Sequence, residues 1–152
     1  MTLSLRVFTG TNAATESGPV TGVALMSIDS AAVAPDTYQV APGSNSYEKW
    51  VAVSVDATDG SYSDFYVEVA GALPDGVTIK VGTTATAATP TNATSAVAKT
   101  TLTAGRRYTF DTATYDTAGQ RTAYLVLQEQ VAASALAGRI DQQAVTFGWV
   151  KG

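Results

Sequence analysis

Apolar residues recur at every second position, in one short run after another. Leu3, Leu5 and Val7 share a face in TLSLRVF (2–8). Phe65, Val67 and Val69 do so in 63–71, and Val77, Ile79 and Val81 in 77–82. The longest run, 120–131, aligns Ala123, Leu125, Leu127, Glu129 and Val131; further runs are 23–28, 48–57, 106–112 and 144–150. A side-chain period of two belongs to strands, and β-branched and aromatic residues dominate these runs, as a pleated surface prefers. Turn signals separate them at TDGS (58–61), LPDGV (73–77), TAGR (103–106) and TAGQ (117–120). Glycine there supplies the positive φ of a tight turn. One-sided alternation favours antiparallel sheets, and about eight short strands with turn signals favour a sandwich or barrel. The sequence therefore predicts an all-β fold, a single antiparallel β-sandwich over 1–152, immunoglobulin-like or jelly-roll, with long loops. Strand order is not legible at this level.

Three stretches read as loops: 9–22, 29–46 and the Thr/Ala-rich 83–101. The first strand with its linker, 1–22, reads as a possible arm reaching a neighbour. Residues 132–138 read as one helical turn. The run EKWVAVSVDA (48–57) poses a puzzle, because both of its faces are apolar. With Val51, Val53 and Val55 in the core, Trp50 faces the other way and needs a loop or a neighbouring subunit over it. Glu48 and Lys49, at the mouth of that strand, read as edge gatekeepers against unwanted pairing. Trp149 reads as core.

Composition narrows the function. Only 14% of residues are charged, against roughly 25% in typical domains. The surface is thus neutral and hydroxyl-rich, which fits either an ordinary soluble β domain or a surface covered by neighbours in an assembly. The net charge of −4 argues against nucleic-acid binding, which wants a basic stripe. Histidine and cysteine are absent, so a Ser-His-Asp triad, a thiol nucleophile and a zinc-cysteine site are impossible within this chain. Asp56, Asp59 and Asp64 offer oxygen ligands but lack EF-hand spacing, and hairpin turns explain them better. Asp111 and Asp116 would suit a glycosidase pair only in a cleft; flanking a turn, they read as caps. Asn92-Ala93-Thr94 fits a glycosylation acceptor, which means nothing without a secretory signal. MTLSLRVF lacks the apolar stretch of a signal peptide, and no run is long enough to span a membrane. No enzyme activity and no cofactor is expected.

Two segments carry a resemblance. RVFTGTNAATESGPVTGVALMSIDSA (6–31) resembles the opening of small virion structural proteins of tailed bacteriophages, with an R-V-F-T-G strand, a Gly/Thr-rich linker and a V-T-G segment. GSNSYEKWVAVSVD (43–56) resembles their N-S-Y-E-K-W strand. LPDGVTIKVGTT and a closing hairpin like that of immunoglobulin-like modules match in style. The resemblance implies a β-sandwich protein of the virion, made in the host cytoplasm. The favoured expectation is a capsid decoration or cement protein. Its partners would be the major capsid protein and copies of itself as a dimer or trimer, without nucleic acid or membrane. The expected contact residues are Arg6, Phe8, Thr11, Asn12, Trp50, Thr89, Pro90 and Thr91. A tail-associated component is the alternative. A carbohydrate- or host-binding module is another, and it would need Tyr62, Tyr66 and Tyr115 grouped and exposed.

Overall fold

The computed structural model describes residues 3–135 and 145–152. Nine strands are formed among them: β1 (Leu3–Thr9), β2 (Thr15–Glu16), β3 (Lys49–Val55), β4 (Tyr62–Val69), β5 (Val77–Thr84), β6 (Thr100–Thr101), β7 (Arg107–Asp111), β8 (Tyr124–Val131) and β9 (Val145–Lys151). They make two antiparallel sheets, one ordered β2-β1-β3-β8-β5-β6 and one ordered β7-β4-β9. The β-sandwich read from the sequence is the observed architecture.

Alternation builds the core between the sheets. Leu3 and Val7 of β1, Val51, Val53 and Val55 of β3, Ile79 and Val81 of β5, and Leu125 and Leu127 of β8 line one wall. Phe65, Val67 and Val69 of β4 and Phe110 of β7 line the other. Every one of these side chains is almost fully withdrawn from water, at roughly 1.5–3 kcal/mol each. Phe65 packs edge-on to Tyr115, with ring centroids 5.6 Å apart. The four turn glycines that the sequence marks, Gly60, Gly76, Gly105 and Gly119, all have positive φ. A bulge interrupts β4 at Ser63–Tyr66, where Asp64 takes φ 50°. The extra residue lets Phe65 stay inward although the ladder slips by one.

Several elements differ from the sequence reading. Residues 23–28 form no strand. Val23, Ala24 and Met26 are all buried, so the segment presents two apolar faces rather than one. It is held by single hydrogen bonds, Ser27 N–H to the Tyr38 carbonyl and Tyr47 N–H to the Met26 carbonyl, and not by a ladder. Two short strands, β2 and β6, arise inside stretches read as loops, because the sheet edges offer them partners at Phe8–Thr9 and Lys80–Val81. β8 starts only at Tyr124; the preceding Arg121 makes an isolated bridge to Ser54. The expected closing hairpin is absent, since β8 and β9 belong to different sheets. Residues 132–135 make a turn without helix, and 136–138 of that expected helical turn lie outside the described residues.

The puzzle of Trp50 resolves within the chain. β3 is an interior strand, between β1 and β8. Its valines face the sandwich, and Trp50 lies on the outer face at 0% exposure. The 85–99 loop folds over it: Trp50, Phe8, Ala52 and Val126 form a second cluster with Ala87, Val97 and Ala98. Gly82 of β5 lets the loop approach, because a Cβ there would lie 1.8 Å from the Val97 carbonyl oxygen.

Candidate interaction surface

The outer face of the six-stranded sheet gathers the residues expected to make contacts. In β1 the outward positions are Ser4, Arg6 and Phe8, and Phe8 pairs with Trp50 across the ladder. Just beyond β1 the chain turns sharply. Gly10 has φ 78°, and Asn12 and Ala13 follow in the left-handed region. Asparagine tolerates that conformation better than most residues. The turn is pinned at both ends: Gly10 N–H donates to Asp29 Oδ2 at 2.7 Å, and Asn12 N–H donates to Thr89 Oγ1 at 2.9 Å. That second bond joins the N-terminal turn to the Thr/Ala loop, two segments far apart in sequence.

The expected contact residues divide into a visible layer and its support. Thr11, Asn12 and Thr89 are exposed and adjoining. Phe8, Trp50 and Pro90 are buried beneath the chain's own loop, so none of these three is offered to a partner on this surface. Thr91 is half-buried and serves the loop's attachment. Arg6 is half-buried and engaged with Asp56 at 3.3 Å and with the Ser17 carbonyl. Of 1–22, expected as a possible arm, the linker folds back along β1, with Ser17 N–H bonded to the Val7 carbonyl and Val20 N–H to the Leu5 carbonyl.

Glu48 and Lys49 do not guard an edge. Both are buried, Glu48 just before and Lys49 at the start of an interior strand, and they point to opposite sides. On the outer face the Glu48 carboxylate accepts from Ser95 Oγ at 2.5 Å and from Thr91 N–H at 3.2 Å. Its backbone N–H donates to the Thr91 carbonyl at 2.9 Å. Burial raises its pKa, and the two donors pull it back. Glu48 is thus the post to which the 85–99 loop is tied. Gln128, fully buried, adds a second tie through Nε2 to the Ala93 carbonyl at 2.7 Å, and Asn45 Nδ2 adds a third to the Asn92 carbonyl at 3.3 Å. On the inner face Lys49 Nζ donates to the Ser30 carbonyl, which holds the 29–46 segment across the sandwich end. Burial lowers Lys49 to about 8, against the opposing pull of the Asp29 charge.

Sequence reasoning missed Arg121, which borders the same surface. Its guanidinium lies 4.8 Å from the Phe8 ring centroid and 5.3 Å from that of Tyr124, and it pairs with Glu16 at 3.6 Å. Tyr124 is packed edge-on to both Phe8 and Trp50, at 5.2 and 5.4 Å. Arg121 falls within the alternating run 120–131, but the ladder of β8 begins only at Tyr124, and alternation does not mark a charged residue for a contact. The outer surface made by the N-terminal turn and the 85–99 loop carries the exposed Thr11, Asn12, Thr86, Thr89, Asn92 and Thr94. It can offer hydroxyls, amides and methyls, and little charge.

The acids considered as ligands or catalysts have structural partners. Asp56 joins Ser4 and Arg6, and Asp59 pairs with Lys151 at 3.0 Å. Asp64 accepts from Ser63. Asp111 accepts from the N–H groups of Ala113 and Ala123 and from Tyr115 O–H at 2.8 Å; burial, with the bond to and the charge of Asp111, pushes the Tyr115 hydroxyl up to about 12. Asp116 accepts from Thr117 Oγ1. Among the described residues no cluster of three or more metal-ligating side chains occurs, and no helix is long and apolar enough to cross a membrane. The aromatic set that a sugar-binding face would need is not assembled. Tyr62 is 2% exposed, Tyr115 is tied to Asp111, and the Tyr66 ring is covered by the Arg107 guanidinium 4.0 Å from its centroid.

Glu129 is the buried group with the clearest pH signature. It lies on the inner face of β8 at 4% exposure, where burial pushes its carboxyl up to about 7. No described residue donates a hydrogen bond to its carboxylate. The raised folded pKa means the folded state keeps a proton that the unfolded chain has already released. Its contribution to stability is therefore fully present below about 4.5 and is lost as pH rises through about 7. Lys49, lowered to about 8, titrates at the upper end of this window, and comparing variant with wild type at the same pH cancels its contribution. Glu129→Gln is expected to match the wild type in stability near pH 4 to within a few tenths of a kcal/mol. At pH 8 it should exceed it by about 2 kcal/mol, read from urea unfolding at both pH values.

Compared with protein-family models, curated proteins and solved structures, the chain matches none.

Proposed function

We propose that this chain is a structural protein of a bacteriophage virion, a decoration protein that binds the assembled head shell through the outer face of its six-stranded sheet. One observation carries the reading. Thr11 and Asn12 of the N-terminal turn and Thr89 of the Thr/Ala loop, distant in sequence, meet in one neutral, hydroxyl-rich surface. Three separate ties to Glu48, Gln128 and Asn45 fasten that surface to the sheet. A preorganised surface loses little entropy on docking, and weak contacts repeated over many copies add up through avidity. The resemblance of 6–31 and 43–56 to small virion proteins supports the same reading, and both segments contribute to this face. The buried charges serve to fix loops, which is what a binding scaffold needs.

The test is co-sedimentation with head shells that lack the protein. Saturable binding near one copy per shell subunit, or per symmetric cluster of subunits, is expected. A Thr11→Glu/Thr94→Glu variant puts two carboxylates on the exposed surface without touching any of its ties. It should bind at least tenfold more weakly at unchanged melting temperature, because a buried unpaired charge is costly. Shells that take up no protein, or take up the variant equally well, would defeat the proposal. Uptake confined to purified tails would favour the tail-associated reading.

A further inference from the structure

The sandwich is open along one side. Between β1 with residues 20–22 and β9 runs a groove of about 720 Å³, walled by Leu3, Leu5, Val20, Phe147 and Trp149. β9 is the outermost strand of the three-stranded sheet, and no described residue pairs with its free edge. Native edges are usually blunted by brevity, charge, proline or a bulge. β2 and β6 have two residues each, and β7 is short and carries Arg107. β9, VTFGWVK, has seven residues, no proline, and one charge, Lys151, at its end and already held by Asp59. Trp149, expected in the core, is 39% exposed, and Val150 is 49% exposed.

We propose that β9 pairs antiparallel with β9 of a second copy, joining the two three-stranded sheets into one and closing both grooves. A free strand edge offers a row of backbone donors and acceptors, so its occupant is a strand. Two-fold pairing about Gly148 makes this strand complementary to itself. Phe147 then faces the second copy's Trp149, Thr146 faces Val150, and Lys151 faces Val145. Like charges are kept apart, with the two lysines ~20 Å distant at ~3.4 Å per residue. Gly148 also keeps the centre flat: a Cβ there would lie 2.3 Å from Tyr66 Cζ, so the position is held free of a side chain. The contact is large enough to matter. Seven residues span ~24 Å, and the open side is about two sheets deep, which gives on the order of 500 Å² per copy. The total of roughly 1,000 Å² stands at the lower bound for specific association and fits a reversible, micromolar dimer. This inference does not depend on the particle reading.

Sedimentation equilibrium of the full chain from 5 to ~300 µM tests it, given the micromolar range expected for so small an interface. A monomer–dimer equilibrium is expected, and Val150→Lys should weaken it at least tenfold. The chain has no cysteine, so a Thr146→Cys/Val150→Cys variant reports register directly. Oxidation should give a covalent dimer that reducing agent reverses. A wild type that stays monomeric across the range overturns the proposal. So does a dimer that Val150→Lys leaves unchanged, or one whose cysteine variant forms no crosslink. If Val150→Lys fails to fold, the cysteine pair decides alone.

Discussion

Trp50→Ala is expected to cost about 3–5 kcal/mol of folding stability, the largest single loss in the molecule. The indole is fully buried against Phe8, Ala52, Val126 and the underside of the 85–99 loop, with Tyr124 edge-on at 5.4 Å. Its removal leaves a cavity between a sheet and a loop rather than between two sheets. The loop can follow the missing volume only by straining its ties to Glu48 and Gln128. In a domain of this size each kcal/mol lowers the melting temperature by ~2–4 °C, so the midpoint should fall by ~6–20 °C. A second substitution separates packing from hydrogen bonding. Among the described residues the Trp50 Nε1–H is a side-chain donor fully shut off from water without a partner. Trp50→Phe keeps most of the ring and removes that orphan donor. It should cost less than ~2 kcal/mol. Urea unfolding of both variants checks the pair. Equal losses would mean that the loop does not depend on the ring beneath it.

Gly82→Ala should be the other severe change, for a different reason. Gly82 is in the middle of a strand, where glycine ordinarily weakens a sheet. The loop backbone is the explanation. A methyl group at Gly82 would stand 1.8 Å from the Val97 oxygen and 2.6 Å from its carbonyl carbon. β5 cannot yield, because it is laddered to β8 over its whole length. The loop must therefore lift, at ~1–3 kcal/mol or more for overpacking. Lifting uncovers Trp50. The expected signs are a red-shifted tryptophan emission and rapid proteolysis within 85–99, while the far-ultraviolet signature of the sheets persists. An alanine variant with native emission and native protease resistance would show that the loop does not rest on Gly82.

Local pattern carried much of this fold and little of its covering. The valine stripe of β3, the inward Phe65, Val67 and Val69, and the turn glycines are all legible, because a period of two and a positive φ are properties of neighbouring residues. The short strands β2 and β6 are not, since each exists only where a distant edge offers two residues of pairing. Residues 23–28 alternate like a strand yet cross the sandwich end, where both faces are buried. Glu48 and Lys49 were misread for a related reason. Whether β3 is an edge or an interior strand is decided by β1 and β8, and nothing in 48–57 states it.

The proposed contact surface was half legible. Trp50 stood out as lying on a face too apolar to be free, and that was correct; Phe8, expected only as a contact residue, packs beside it. Their cover is Ala87, Val97 and Ala98, drawn from a Thr/Ala stretch with no hydrophobic period of its own. Small residues can seal a surface by close backbone approach, as Val97 does over Gly82, and leave no amphipathic signal. Thr11, Asn12 and Thr89 remained visible as loop residues, and the Asn12–Thr89 bond that unites them is purely tertiary.

The measurement that bears most directly on the account is density-gradient fractionation of a lysate from the source, with this chain quantified in each fraction by mass spectrometry. The account predicts that the chain bands with nuclease-resistant, DNA-filled particles, at a copy number near that of the major shell protein. A chain confined to the soluble fractions and absent from particles would contradict it.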